Sequence, residues 1–334
     1  MPSKPNPLMS SNKIPWNTPS ASGRGPSGTH PLMSDDMMAK KTDGYRLVVD
    51  IDAQELLVQE TEEVCTLIRR EIGGPPVKVL RPPSGKKSYI PGEDTSRVLK
   101  GEKRFEDAEV KVVTQYEGDW SRAKDLARCT VVVEKARDVE TAYKIVKKHF
   151  ENKAGGFRLF EAKTIDPVKD DCGYSGYTVF VQLTGTAIKA EIQVNYMAMM
   201  YAKFTEKEFE GMFDRAQVWA MKREYPPHVV EGGLGHHLYE VARKDGEDPD
   251  KRKAYAAACK LYYNYFRSDP TNTTLGKAAQ AAILKLEGNK VDLAWLDKSF
   301  AAFERKAAPT LRRDGLALGS GQTLAELLGE GPFA

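Results

Sequence analysis

KDLARCTVVVE (124–134) and IKAEIQVN (188–195) are the two stretches whose reading decides the fold. The first runs from charged residues into CTVVVE (129–134), a β-branched run that suits a half-buried pleated surface. The second alternates. Glu191, Gln193 and Asn195 fall on one face of a strand, and Ala190, Ile192 and Val194 on the other. Working outward, FRLFEAK (157–163) and YTVFVQL (177–183) read as two further strands. Thr184-Gly185 makes a hairpin turn into the strand at 188–194. Asp138 is placed to cap a helix whose apolar face is Val139, Ala142, Tyr143, Val146 and Phe150.

Upstream, YRLVVDI (45–51) reads as an extended lead-in. Asp52 with Glu55 three residues on reads as a capping box. Leu56, Leu57, Val64, Leu67, Ile68 and Ile72 follow at helical spacing, and Gly73-Gly74 ends the helix. Residues 75–100, rich in Pro, Gly, Lys and Ser, read as loop, and a short polar helix is expected near 105–115. After 196 the pattern is helical, over 197–203, 206–222, 235–244, 251–267, 273–287 and 293–307. The predicted class is α/β of the α+β kind. A small mixed, largely antiparallel sheet is flanked by helices and followed by a helical C-terminal extension.

The chain has 334 residues, a net charge of +3, and seven of its nineteen prolines within 1–42. That leading stretch cannot bury a core and reads as a disordered linker or leader. The expected organisation is 1–42 leader, 43–245 main folded domain, 246–314 helical extension and 315–334 flexible tail. Charge is uneven along it, +3 over 1–42, −3 over 43–242, +5 over 243–314 and −2 over the last twenty. Such a balance argues against broad coating of nucleic acid. No apolar run approaches the ~18 residues of a membrane span, and no signal peptide is legible, so a cytoplasmic working place is expected. Cys65, Cys129, Cys172 and Cys259 form no CxxC pair, which argues against zinc and against a disulfide framework.

Five places carry candidate chemistry. Asp125, at a strand entrance beside Arg128, reads either as a cleft carboxylate or as a surface pair with Arg128. Glu191 and its polar face read as a cleft wall or a solvated face. In DCGYSGYTVF (171–180), Gly173 and Gly176 bracket Tyr174, either a stacking platform for a flat ligand or a packed turn tyrosine. Lys100, Lys103, Arg104 and Lys111 read as a polyphosphate grip or a solvated helix side. In GLGHHLYEVAR (233–243), His236, Tyr239, Glu240 and Arg243 share a helix stripe.

The order of these pieces resembles the synthetase domain of the RelA/SpoT family, over about residues 97–245, and most closely its small stand-alone toxin-type members. KDLARCTVVVE and AEIQVN are the most specific parts. The resemblance implies a pyrophosphokinase that uses ATP as donor and Mg²⁺. It implies that Lys103, Arg104 and Lys111 bind ATP, with Arg128 on a phosphate. Asp125 and Glu191 would serve metal and catalysis. Gly173, Tyr174 and Gln193 would receive the acceptor, with His236 and Arg243 supporting. The departures are Ser175 where the family has arginine after Gly-Tyr, Asp107 where serine is common, and Gly101 where arginine is common. With no His-Asp dipeptide, the family's hydrolase activity is not expected. The implied acceptors are GDP/GTP or an adenine nucleotide, giving an alarmone, or alternatively the 3′ end of tRNA. A growth-inhibiting toxin with an antitoxin or immunity partner is implied. The reading from another class is a catalytically silent nucleotide- or partner-binding module.

Overall fold

The computed structural model describes residues 45–288 except 47, 50, 83, 90–93, 154, 227–228, 245, 269, 271 and 287. The expectations for 1–42, for a helix at 293–307 and for the tail at 315–334 lie outside the described residues. Contacts divide the chain after Lys40, and all described residues lie in the second unit, Lys41–Ala334.

The described elements are α1 (Ala53–Glu71), β1 (Val77–Leu80), β2 (Lys87–Ser88), β3 (Arg97–Val98), α2 (Phe105–Tyr116), β4 (Ala127–Val133), α3 (Val139–Asn152), β5 (Phe157–Ile165), β6 (Gly176–Leu183), β7 (Lys189–Tyr196), α4 (Met197–Lys203), α5 (Glu206–Met212), α6 (Arg215–Glu224), α7 (Gly235–Arg243), α8 (Pro249–Arg267) and α9 (Thr273–Leu286). The main sheet has the order β1-β4-β7-β6-β5, and β2 and β3 form a separate ribbon. The β4–β7 pair is parallel, while β1–β4, β7–β6 and β6–β5 are antiparallel. The class is therefore the α+β one expected, with a mostly antiparallel sheet.

The alternation in β7 sorts the two faces of the sheet. Cys129, Val131, Val133, Val179, Val181, Ile192 and Val194 are buried. They meet the buried sides of α1 (Val58, Thr61, Cys65, Ile68) and α3 (Val139, Ala142, Val146, Phe150). Each buried Val, Ile or Phe among them contributes roughly 1.5–3 kcal/mol on leaving water. The opposite face keeps Arg128, Thr130, Glu191, Gln193 and Asn195 in ladder register, so it becomes a polar floor.

Several local expectations are corrected. Tyr45, Arg46, Val48 and Val49 are helical, not extended, and Tyr45 and Val48 are wholly buried. Asp52 sits at the start of α1 in the left-handed region (φ 54°) and makes no side-chain cap. Its carboxylate pairs instead with Lys100, and Glu55 pairs with Arg81, so the capping box gives way to two long-range ion pairs. Leu56 and Leu67 are exposed although they keep helical spacing. The stretch 75–100 holds β1, an edge strand hidden by its short length, as well as β2 and β3. The helix expected over 206–222 is two. Thr205 with Glu208, and Asp214 with Gln217, form successive capping boxes, and the extended Phe213 between them stacks on Phe209 at 4.4 Å. Beyond the sheet, α8 enters the main core through Cys259, Tyr262, Tyr263, Tyr265 and Phe266.

Candidate active site

The site begins where the chain before α2 is tied to the chain before β4. The Lys103 amide donates to the Leu126 carbonyl (2.9 Å), and the Tyr45 hydroxyl donates to the Lys103 carbonyl (2.6 Å). Gly101 has a φ of +129°, and a Cβ there would lie 3.2 Å from the Pro82 carbonyl oxygen, so the approach favours glycine. The arginine common in the family at this place has no room without a shift. The result is convergence. Lys103 Nζ and Lys111 Nζ each donate to Asp125 Oδ2 at 2.9 Å. Asp125 is 6% exposed. Burial pushes its carboxyl upward, but the two ammoniums prevail and hold it below the ordinary aspartate range. Two cations on one carboxylate leave a net positive charge at the entrance to β4.

Arg128 follows three residues later. Its main chain continues the sheet where β1 has stopped, since Leu80 with Thr130 is the last β1–β4 pair. The wholly buried Gln54 of α1 takes the place of a strand. Its Nε2 donates to the Arg128 carbonyl and its Oε1 accepts from the Arg128 amide, both at 2.9 Å. This holds Arg128 beside Glu191, its partner in the parallel ladder. The Arg128 Nε is buried and has no hydrogen-bond partner among the described residues.

Glu191 Oε1 accepts from Gln193 Nε2 at 2.6 Å, and Gln193 Oε1 in turn accepts from Lys203 Nζ at 3.3 Å. Lys111 feels Glu191 as well as Asp125, so the strip runs carboxylate, ammonium, carboxylate. Lys203 closes α4 and stands over the rings of Tyr174 (5.5 Å) and Phe204 (5.4 Å). Burial pulls its ammonium below the ordinary lysine value, against the pull of Glu191. Nothing in the sequence reading singled out Gln54 or Lys203. Gln54 sits on an apolar helix face, the one available signal, and Lys203 looks like any helix-end lysine.

The Gly-Tyr loop is built into the same place. Gly173 is left-handed (φ +70°), and a Cβ there would lie 2.9 Å from Lys260 Cγ and 3.0 Å from Lys260 Cα, so α8 packs directly on it. Arg267 Nη2 donates to the Gly173 carbonyl at 2.7 Å. Asn195 Nδ2 donates to the Tyr174 hydroxyl at 2.9 Å, and the Tyr174 ring meets Tyr263 edge-on at 5.3 Å. Burial raises the Tyr174 phenol well above its usual range.

The outer members of the basic set stand elsewhere. The Arg104 guanidinium forks onto Asp107 (2.9 and 2.7 Å) on the exposed start of α2, and this bond pulls the Asp107 carboxyl down. The basic set is thus divided: Lys103 and Lys111 turn inward, while Arg104 grips its neighbour and Lys100 grips Asp52. His236 is exposed on α7, 4.0 Å from Glu240, and lies within electrostatic reach of Lys203 and Arg128. Arg243 bonds the Tyr239 hydroxyl of its own helix and lies 4.8 Å over that ring.

Among the described residues, no three His, Cys, Asp or Glu side chains gather as a metal site. Asp125 Oδ1 and Glu191 Oε2 make no hydrogen bond among them. Free carboxylate oxygens are hard donors of the kind Mg²⁺ takes, one or two at a time, with other oxygens and water completing its shell.

A buried carboxylate under two lysines, a second carboxylate on the neighbouring strand and the amides beside it make up the candidate site. No family model matches the chain. The resemblance to a RelA/SpoT-type synthetase is nevertheless borne out by a curated relative. The chain is 31% identical over 174 residues to the (p)ppApp synthetase toxin Tas1 of Pseudomonas aeruginosa (strain UCBPP-PA14), a match spanning 51% of this chain and 36% of that protein. It therefore covers only about a third of that relative's length. Among solved structures, the complex of the Type VI effector Tas1 with its immunity protein aligns at 26% identity and TM-score 0.46, covering 71% of this chain and 99% of that one. Small alarmone synthetase 1 from Bacillus subtilis, bound to its product pppGpp, aligns at 16% identity and TM-score 0.34, covering 56% and 88%.

Proposed function

We propose that the chain is an ATP-dependent pyrophosphokinase that moves pyrophosphate from ATP to the 3′ hydroxyl of a nucleotide and releases AMP. The observation that carries this is Asp125, gripped by Lys103 and Lys111 just before β4, three residues ahead of the Arg128–Glu191 pair. Lys103 and Lys111 turn from Asp125 to the donor phosphates and neutralise them. Glu191 accepts the proton of the attacking hydroxyl as the new O–P bond forms and the bond to the AMP oxygen breaks. Gln193, bonded to Glu191, keeps that carboxylate aimed along the floor. Mg²⁺, held by Asp125 and Glu191, would supply further charge neutralisation on the phosphates.

The acceptor we favour is an adenine nucleotide, since the curated relative is named for (p)ppApp synthesis. GDP or GTP is the competing acceptor. A tRNA 3′ end is less favoured, because that relative carries a small-nucleotide product in its name. The same relative supports a growth-inhibiting toxin, whose producer would need a neutralising immunity protein or antitoxin. Mass spectrometry of products from the purified chain with ATP and, separately, ADP, GDP and tRNA tests the reading. The expected product is a 3′-pyrophosphorylated adenine nucleotide. Transfer to none of the three, with ADP or GDP still bound, would instead favour a catalytically silent nucleotide-binding module.

A further inference from the structure

The polar floor holds two cations that its own residues leave short of partners, and they are not the lysines that grip Asp125. Arg128 has a buried Nε with no acceptor, and no hydrogen bond or ion pair of its side chain is found among the described residues. Lys203 has one hydrogen bond, to Gln193 Oε1 at 3.3 Å, and otherwise faces two aromatic rings. A lysine ammonium carries three donors. A largely desolvated cation with a single long bond is costly unless an anion completes its shell. The two cations also repel one another, because each lies near Glu191 on the same face of the sheet. An anion bound between them would relieve both costs together.

Position decides which part of a substrate fits. Along β4 and β7 the floor runs from Asp125, with Lys103 and Lys111, to Arg128 and Glu191, and then to Thr130 and Gln193. Lys203 meets the floor at Gln193, beyond Glu191 from the donor-phosphate lysines, and covers the Tyr174 ring. We infer that Lys203 and Arg128 form a phosphate subsite for the acceptor nucleotide, holding its anionic group while Glu191 faces the hydroxyl that reacts. This rests on the pyrophosphokinase reading for the word acceptor, but the anion subsite stands on the geometry alone. Its consequence is selectivity. The acceptor must carry phosphate, and a bare nucleoside should be held poorly.

The test uses the full chain and two probes, ADP and adenosine. Calorimetry without donor measures binding to the wild type, Lys203→Met and Lys203→Arg. Thermal melting checks the fold of each. Met keeps the stem of Lys203 and removes the charge, and Arg restores the charge. Loss of a charge-assisted bond predicts ADP binding weakened about tenfold or more in Lys203→Met, adenosine binding unchanged, and recovery in Lys203→Arg. Arg128→Met should behave as Lys203→Met does. In steady-state assays Lys203→Met should raise KM for ADP far more than it lowers kcat, with KM for ATP little altered. Equal effects on ADP and adenosine, unchanged ADP binding in Lys203→Met, or a change confined to KM for ATP would overturn the subsite. ADP binding that depends on Lys203 without any transfer activity would keep the subsite and defeat the pyrophosphokinase reading.

Discussion

Asp125 and Glu191 are both carboxylates of the same floor, yet their surroundings predict different consequences when each is neutralised. Asp125 compensates two lysines inside the fold. Asp125→Asn should abolish transfer and also destabilise the protein by about 3–5 kcal/mol, because two buried ammoniums lose their counter-charge. Glu191 makes one hydrogen bond among the described residues, to an amide, and no ion pair, so Glu191→Gln should keep its shape and lower the melting temperature less than Asp125→Asn does, the loss coming from the nearby Lys203 and Arg128 cations. Its activity should fall by about 10²–10⁴, the contribution of a positioned base. Denaturant titration alongside product formation separates the two. Carbon-detected NMR titration gives a second check. The folded Asp125 carboxyl sits below its ordinary value of 3.8, so its stabilising share is present above that pH and is lost as pH falls through the lower folded value. Lys111→Met should move this titration upward, since burial stays and half of the opposing charge goes. An unshifted Asp125 in that variant would contradict the ion-pair account.

At the scale of elements, Gln54 is the joint between α1 and β4. Its side chain supplies the two hydrogen bonds that β1 would have made had it run further. Gln54→Leu leaves the Arg128 amide and carbonyl without those partners, at about 1–3 kcal/mol for each group. The expected result is a loss of roughly 2–5 kcal/mol in chemical denaturation, with faster hydrogen exchange at Arg128. Unchanged exchange there would show that the strand holds its register without Gln54.

For the whole molecule, the decisive packing is that of α8. Its Tyr262, Tyr263, Tyr265 and Phe266 are almost fully buried in the main core, and its Lys260 and Arg267 seat the Gly173 turn. A chain ending before Asp248 would therefore expose aromatic core and unseat the loop that carries Tyr174. Circular dichroism should show no cooperative melt for that truncation. A sharp transition with retained nucleotide binding would mean that the helices are dispensable. The charge profile, with its basic C-terminal third, gave no hint of this, since charge reports the solvated faces and not the aromatic one.

The sequence alone determined most of the elements and put Asp125, Glu191 and Gln193 forward as candidates. Period-two alternation in β7 set Glu191 and Gln193 on one face, β-branched runs marked β4 and β6, and helical spacing marked α3, α7, α8 and α9. These signals are local, repeated over several residues, and tied to burial of one face. The edge strand β1, four residues in a Pro- and Gly-rich stretch, offered too short a pattern to read. The lead-in at 45–49 is helical because Tyr45 and Val48 bury in the core, a tertiary gain that its strand-like composition concealed. Likewise Asp52 and Glu55 satisfied a capping pattern but found distant cations instead. Only the tertiary structure decided which basic residues converge. Lys103 and Lys111 meet on Asp125, Arg104 and Lys100 do not, and Lys203 arrives from a helix that follows the last strand. Convergence of this kind depends on contacts between residues far apart in the chain, and no local period or propensity encodes them.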